Sequence, residues 1–265
     1  MNELRKYTWI AWTSARSSWA YFGDAIGRVI FFSIILYIFL RLWTTTFTQT
    51  GATHLGGLSI TQMLWYLTIT EAIMLSGPKV STLIDEDVRT GTIAVQLLRP
   101  MSYAYYRLAM TLGERTIRFL VNLVTGCAIA FLLVGQLPMV GFGMLTLCAT
   151  LPLAFILDFL GLFLVGLSAF WLEDTSGLLL LYSRGVLIAG GTLIPLDLYP
   201  SAVRPILSWL PFANITAGPA HVFVSPLPQD LAMILCRQIT GTLVLGAIAF
   251  VIYKQALRRV FVNGG

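Results

Sequence analysis

The chain has 265 residues, of which 57% are hydrophobic and only 11% charged, with a formal net charge of +5. Mean hydropathy is +0.81. A soluble domain carries about 25% charged residues, so a water-soluble globular fold is excluded and an all-α, polytopic membrane protein is expected.

A membrane span takes about 20 mainly apolar residues, and the hydrophobic stretches use up most of the chain. No interval between them could bury a soluble core, so residues 1–265 form one membrane domain. The basic residues gather at particular loops, which fits membrane orientation and no nucleic-acid partner. Cys127, Cys148 and Cys236 lie within or beside apolar stretches without CxxC spacing, so neither a disulfide framework nor a zinc site is expected.

Residues 3–22 come first. On a helical wheel Leu4, Ala11, Trp12, Ala15, Trp19 and Phe22 share one face, opposite Arg5, Lys6, Thr13, Arg16 and Ser17. This pattern predicts a helix lying in the headgroup layer. Six spans follow, at about Ala25–Leu42, Ile60–Val80, Thr116–Val134, Phe142–Phe170, Gly177–Ile194 and Leu231–Tyr253. Between them lie a polar loop at 44–59, a charged segment at 79–107, a Gly/Pro turn at 135–141, the turn WLEDTS at 171–176, and a Pro-rich interval at 195–230. Thirteen of the seventeen basic residues fall in the N-terminal arm, the 79–118 region or the C-terminal tail. The positive-inside rule then places both termini in the cytoplasm.

The segment Asp85-Glu86-Asp87-Val88-Arg89-Thr90-Gly91-Thr92, continuing through IAVQLL to Arg99-Pro100, reads as charges, a Gly-Thr step and a short amphipathic helix. Pro100 biases Arg99 away from helix and ends the element. On the basic side of the membrane, such a helix could dock a cytosolic partner. Asp87, Gly91, Thr92, Leu97, Leu98 and Pro100 resemble the acidic, Gly-Thr, Leu-Leu, Pro pattern of ABC-2 type transporter permeases, which more often have Glu where Asp87 stands. A second stretch, GGTLIPLDLYP at 190–200 followed by Leu207-Ser208-Trp209-Leu210-Pro211-Phe212, is similar to the family's small-residue, Pro-x-x-x-x-Pro, Leu-Pro sequence.

The resemblance implies the membrane subunit of an ABC exporter, set in membrane lipid and working with separate ABC ATPase subunits. A second permease chain, the same or different, would complete the pathway. It implies an ATPase-coupling element at 81–107, carried by Asp87, Arg89, Gly91, Thr92, Leu97, Leu98 and Pro100. It also implies an outer re-entrant gate region at 195–230, marked by Pro195, Pro200, Trp209, Pro211 and Phe212. A bacterial inner membrane location follows from the same resemblance. The substrate is not readable from these residues.

No GxxxxGK[ST] occurs, so ATP hydrolysis is expected on a partner and no cofactor on this chain. His54 and His221 are the only histidines, and neither has a zinc ligand set; no catalytic or metal residues are expected. Glu71, Asp158 and Arg184 fall inside spans, where ionisable groups are costly. A pair between Arg184 and either acid is expected to relieve that cost. Used instead for ion coupling, the three residues would make a secondary transporter. Tyr103, Tyr105 and Tyr106, and on the other side Trp43, Trp65, Tyr66, Tyr199 and Trp209, read as interfacial belts.

Overall fold

The structure is a computed structural model that describes residues 3–18, 23–136 and 140–263. It is all-helical, with no strand among the described residues. The helices are α1 (Glu3–Ser18), α2 (Gly23–Thr50), α3 (Ile60–Leu75), α4 (Val80–Arg89), α5 (Thr92–Leu97) and α6 (Tyr103–Val134). They continue with α7 (Val140–Leu167), α8 (Ser176–Ala189), α9 (Arg204–Trp209), α10 (Pro211–Ile215), α11 (Ala217–Val224) and α12 (Pro228–Asn263).

Four stretches among the described residues are long and apolar enough to cross a membrane: Val29–Thr50, Tyr103–Val134, Gly141–Phe170 and Pro228–Arg259. Helix α3 has 16 residues and α8 has 14. At 1.5 Å per residue these reach roughly 24 and 21 Å, short of a hydrocarbon core of about 30 Å.

Several expected boundaries move, each for a local reason. The first apolar helix does not end at Leu42; it runs through TTTFTQT to Thr50. The threonines hide their hydroxyls by bonding back one turn, Thr44 to the Leu40 carbonyl at 2.6 Å and Thr48 to that of Thr44 at 2.8 Å, while Phe47 is buried. The second stretch does not continue to Val80. It breaks after Leu75 at Ser76-Gly77-Pro78-Lys79, because proline cannot supply the helical amide. The third begins at Tyr103, thirteen residues before the expected Thr116, so the expected coupling segment contains the first turns of α6. The fifth stops at Ala189, where Gly190 and Gly191 release the helix before Ile194. The Gly/Pro turn at 135–141 includes residues 137–139, which lie outside the described residues.

Helix α1 packs lengthwise on α6. Ser14 donates to the Met110 carbonyl at 2.9 Å, and the Tyr7 hydroxyl accepts from the Ser102 amide at 3.2 Å. Gly113 permits the crossing, since a Cβ there would run into the Ala11 carbonyl. The face that Ala11 and Ala15 share is thus protein-facing, while Trp9 and Trp12 are exposed. Trp19 and Phe22, expected on that face, lie outside the described residues. Trp43, Trp65, Tyr66 and Tyr103 are buried core residues and not belt residues.

One core cluster joins α2, α3, α6, α7 and α11 through Phe32, Trp65, Leu67, Phe119, Phe155 and Phe223. A second joins α4 and α5 to α6, α7 and α12 through Ile84, Ile93, Tyr103, Phe163, Leu167 and Ala256. Gly113→Val should lift α1 from α6 at a cost of about 1–3 kcal/mol. Limited proteolysis of the detergent-solubilised chain should then cut α1 faster than in wild type.

Candidate functional site

Helix α4 ends at Arg89, and the chain turns at Gly91, whose φ of +70° is a left-handed conformation that other residues adopt at a cost. Helix α5 then runs from Thr92 to Leu97. Asp87 points into the turn and is buried. Its carboxylate accepts from Gln96 Nε2 at 2.9 Å and from the Tyr103 hydroxyl at 2.6 Å, and forms an ion pair with Arg107. One carboxylate therefore ties α4, α5 and α6 together. Ile93 anchors α5 from below, and Leu97 is half-buried against the same cluster.

The other face of α5 is open. Val95 is 62% exposed and Leu98 85%, with Thr92, Arg99 and Pro100 exposed beside them. Arg89 pairs with Asp85 at 2.9 Å and reaches Asp174 at 3.7 Å, while Thr175 donates to Asp85 at 3.0 Å. These contacts brace the start of α8 against α4. Asp174 is held below the usual carboxylate range, chiefly by bonds from the Ser176 hydroxyl and amide. The expected coupling residues thus divide: Asp87 is an inward brace, whereas Leu98, Pro100 and Thr92 face outward.

Deeper in the bundle, Arg115 and Asp158 form an ion pair at 2.5 Å, with side chains 1% and 8% exposed. Tyr182 on α8 donates to the other Asp158 oxygen at 2.6 Å, and the Arg115 guanidinium lies 4.3 Å from the Phe155 ring centre. A cavity of about 200 Å³ adjoins them, bordered by Gly77, Pro78, Ser183 and Thr216. The expected pairing of Arg184 is therefore wrong. A helix turns about 100° per residue, so placing Tyr182 against α7 sends Arg184 to the opposite, exposed side. Arg184 has no ion-pair partner among the described residues, and Arg115 takes Asp158 instead. Glu71 is buried, and no hydrogen bond or ion pair among the described residues joins it to Asp158 or Arg184. The three residues do not form one site.

The Pro-rich segment is folded, exposed over residues 200–206 and buried over most of 213–224. Pro195 leads into a 3-10 turn at Leu196–Leu198, and Pro200 follows Tyr199, whose hydroxyl bonds to the Ile188 carbonyl at 2.9 Å. Pro211 opens α10 at a position that needs no amide. Helix α11 is buried against α3 and α7, where Gln62 donates to the Val224 carbonyl at 3.2 Å and Thr146 to that of Val222 at 2.7 Å. Thr216, between α10 and α11, caps the Gly190 carbonyl at 2.6 Å. The Tyr66 hydroxyl caps Gly191 at 2.9 Å, and Gln238 of α12 caps Asn214 at 2.9 Å. Phe212 meets Tyr182 edge-on at 5.5 Å, so this segment contacts the residue that holds Asp158. Trp209 is 59% exposed and lies against Arg237.

The described residues thus hold long apolar helices, a braced short helix with an open apolar face, and a buried polar-capped hairpin. The sequence model of the family described as ABC-2 family transporter protein matches residues 30–264. The chain belongs to the ABC-2 transporter family. It is an integral membrane protein and a permease of an ABC transporter, a class that associates with ABC ATPase subunits. Comparison with curated proteins finds no match.

Arg107, Arg115, Tyr182, Thr216 and Gln238 escaped the sequence reading of this ABC-2 permease. Their signal was a charge or amide within an apolar run, which demands a partner without naming it. Asp158→Asn should destabilise the permease by about 3–5 kcal/mol, because it leaves a buried guanidinium unpaired. Arg184→Gln should change stability by less than about 0.5 kcal/mol. Thermal melting of the two variants in detergent checks both.

Proposed function

We propose that this chain is one of two permease chains of an ATP-driven exporter, with ATP hydrolysed on separate subunits. In this reading six segments traverse the bilayer, α3 and α8 completing their crossings through the adjoining non-helical chain. Both termini and α4–α5 lie in the cytoplasm, of a bacterial inner membrane, and residues 195–230 enter from the outer side as a re-entrant gate. The distribution of basic residues supports the orientation. The burial of α10 and α11, with the carbonyls of Asn214, Val222 and Val224 capped by side chains, supports re-entry, since irregular backbone is tolerated at depth only when protein satisfies it. Trp9 and Trp12, exposed on α1, fit the headgroup layer.

The observation that carries the reading is a continuous set of contacts between the two ends. Helix α5 is locked to α4 and α6 by Asp87, and α4 packs on α7. Along α6, α7 and α8 the Arg115–Asp158–Tyr182 cluster follows, and Phe212 joins it to the outer hairpin. A push on α5 by a closing ATPase pair has a packed path to the gate. The ion-coupled alternative has no comparable support, because its three charged residues share no site.

Docking rests on the open face of α5. Val95→Asp with Leu98→Asp should abolish co-purification of an ABC ATPase with the tagged chain from its native membrane, while melting stays at the wild-type value. Retention of the ATPase by the folded double variant would remove α5 as the docking site. Absence of any ATPase with wild type would remove the reading itself.

A further inference from the structure

A cavity of about 380 Å³ lies between the outer hairpin and α12 and is distinct from the one beside Arg115. Its volume falls within the range of small-molecule sites, about 300–1,000 Å³. Two carboxylates, Asp197 and Asp230, and two arginines, Arg204 and Arg237, line it, and Arg204 spends its Nη2 on the backbone carbonyls of Asp197 and Tyr199. Toward one end His221 of α11 stands between two carboxylates, with Nδ1 3.6 Å from Asp197 and Nε2 3.7 Å from Asp230. Neither carboxylate has an arginine or lysine partner among the described residues.

Farther along α12 is Arg237, seven residues and roughly 10 Å beyond Asp230 on nearly the same helix face. Its contacts are the Met233 sulfur at 3.0 Å and the Trp209 ring at 5.5 Å. Its Nε is buried without a hydrogen bond, and no carboxylate among the described residues pairs with it. Helix α12 is one of the four long apolar stretches, and an unpaired cation there is expensive unless it faces a polar cavity or ligand. Two carboxylates without an arginine or lysine partner among the described residues, and one arginine, Arg237, that is not committed to a carbonyl as Arg204 is, match a ligand with the opposite arrangement of charge. An organic anion alone would face the two aspartates, and an organic cation alone would leave Arg237 unanswered.

We propose that this cavity binds a zwitterion, its acidic group on Arg237 beside Trp209 and its ammonium at Asp197 and Asp230. The ligand class is an ammonium joined by a short linker to a phosphate or carboxylate, as in a zwitterionic lipid headgroup or the corresponding soluble ester. The cavity takes from the proposed function only its outer placement. Binding needs no ATPase, so failure here and failure of ATPase recruitment are separately visible.

The test uses the full-length chain in an uncharged maltoside detergent, with binding measured by calorimetry. The probes are lysophosphatidylethanolamine, glycerophosphoethanolamine, glycerophosphoglycerol and ethanolamine. At least one zwitterion should bind about tenfold or more tighter than either single-charge probe. Arg237→Gln should remove the preference over ethanolamine, and Asp230→Asn the preference over glycerophosphoglycerol. Such charge-specific losses would not follow from a merely structural role. Arg237→Lys and Asp230→Glu should each retain part of the preference, which guards against misfolding of the neutral variants. A requirement for the acyl chain would assign the ligand to lipid, and equal binding of the acyl-free ester to a solute. The proposal is overturned if folded wild type binds neither zwitterion, if a single-charge probe binds equally well, or if both neutral variants keep the wild-type preferences.

Discussion

A carbonyl inside a bilayer has no water to bond, so the protein must cap the breaks in its helices. In this permease the helix breaks between α8 and α12 are capped in that way. Helix α8 stops at Gly190, and the freed carbonyls of Gly190 and Gly191 are taken by Thr216 and Tyr66. Asn214 turns its amide onto Ser208 and Leu210, and its own carbonyl accepts from Gln238. These caps come from α3, α12 and the segment between α10 and α11. The hairpin is therefore held by its neighbours at the points where its own backbone is unsatisfied. A shift of α3 or α12 acts directly on it.

Charge obeys the same logic. Arg107 and Arg115 lie on α6, one of the long apolar stretches, and each is matched by an aspartate and backed by a tyrosine. Asp87 with Tyr103 closes the α4–α5 end, and Asp158 with Tyr182 closes the junction nearer the hairpin. Each pair joins segments distant in sequence, so both fix the register between helices. Arg237 departs from this pattern, and that departure gives the cavity beside α12 its interest.

The all-helical class, the short helix after Gly91 and the long apolar helices were legible because composition, hydropathy and a Gly–Pro frame are local signals. The extension of α2 to Thr50 was not, since a threonine run reads as polar until its hydroxyls are folded back on the helix. The start of α6 was hidden by Arg107 and Arg115, which look like loop residues when their partners, 20 and 43 residues away, are unknown. Of the expected coupling residues, Leu98 and Pro100 are exposed, whereas Asp87 is an internal brace. Arg184 was misassigned because hydropathy marks a residue's depth and says nothing about its direction.

Sided labelling tests the central claim, that the α5 face and the outer hairpin lie on opposite sides of one membrane and enclose a buried junction. In a cysteine-free background, Leu98→Cys, Val203→Cys and Ile215→Cys would each be exposed to a membrane-impermeant maleimide, in intact cells and in inverted vesicles. The account predicts that Leu98→Cys reacts only in inverted vesicles, Val203→Cys only in intact cells, and Ile215→Cys in neither. Reaction of Leu98→Cys and Val203→Cys from the same side would contradict it.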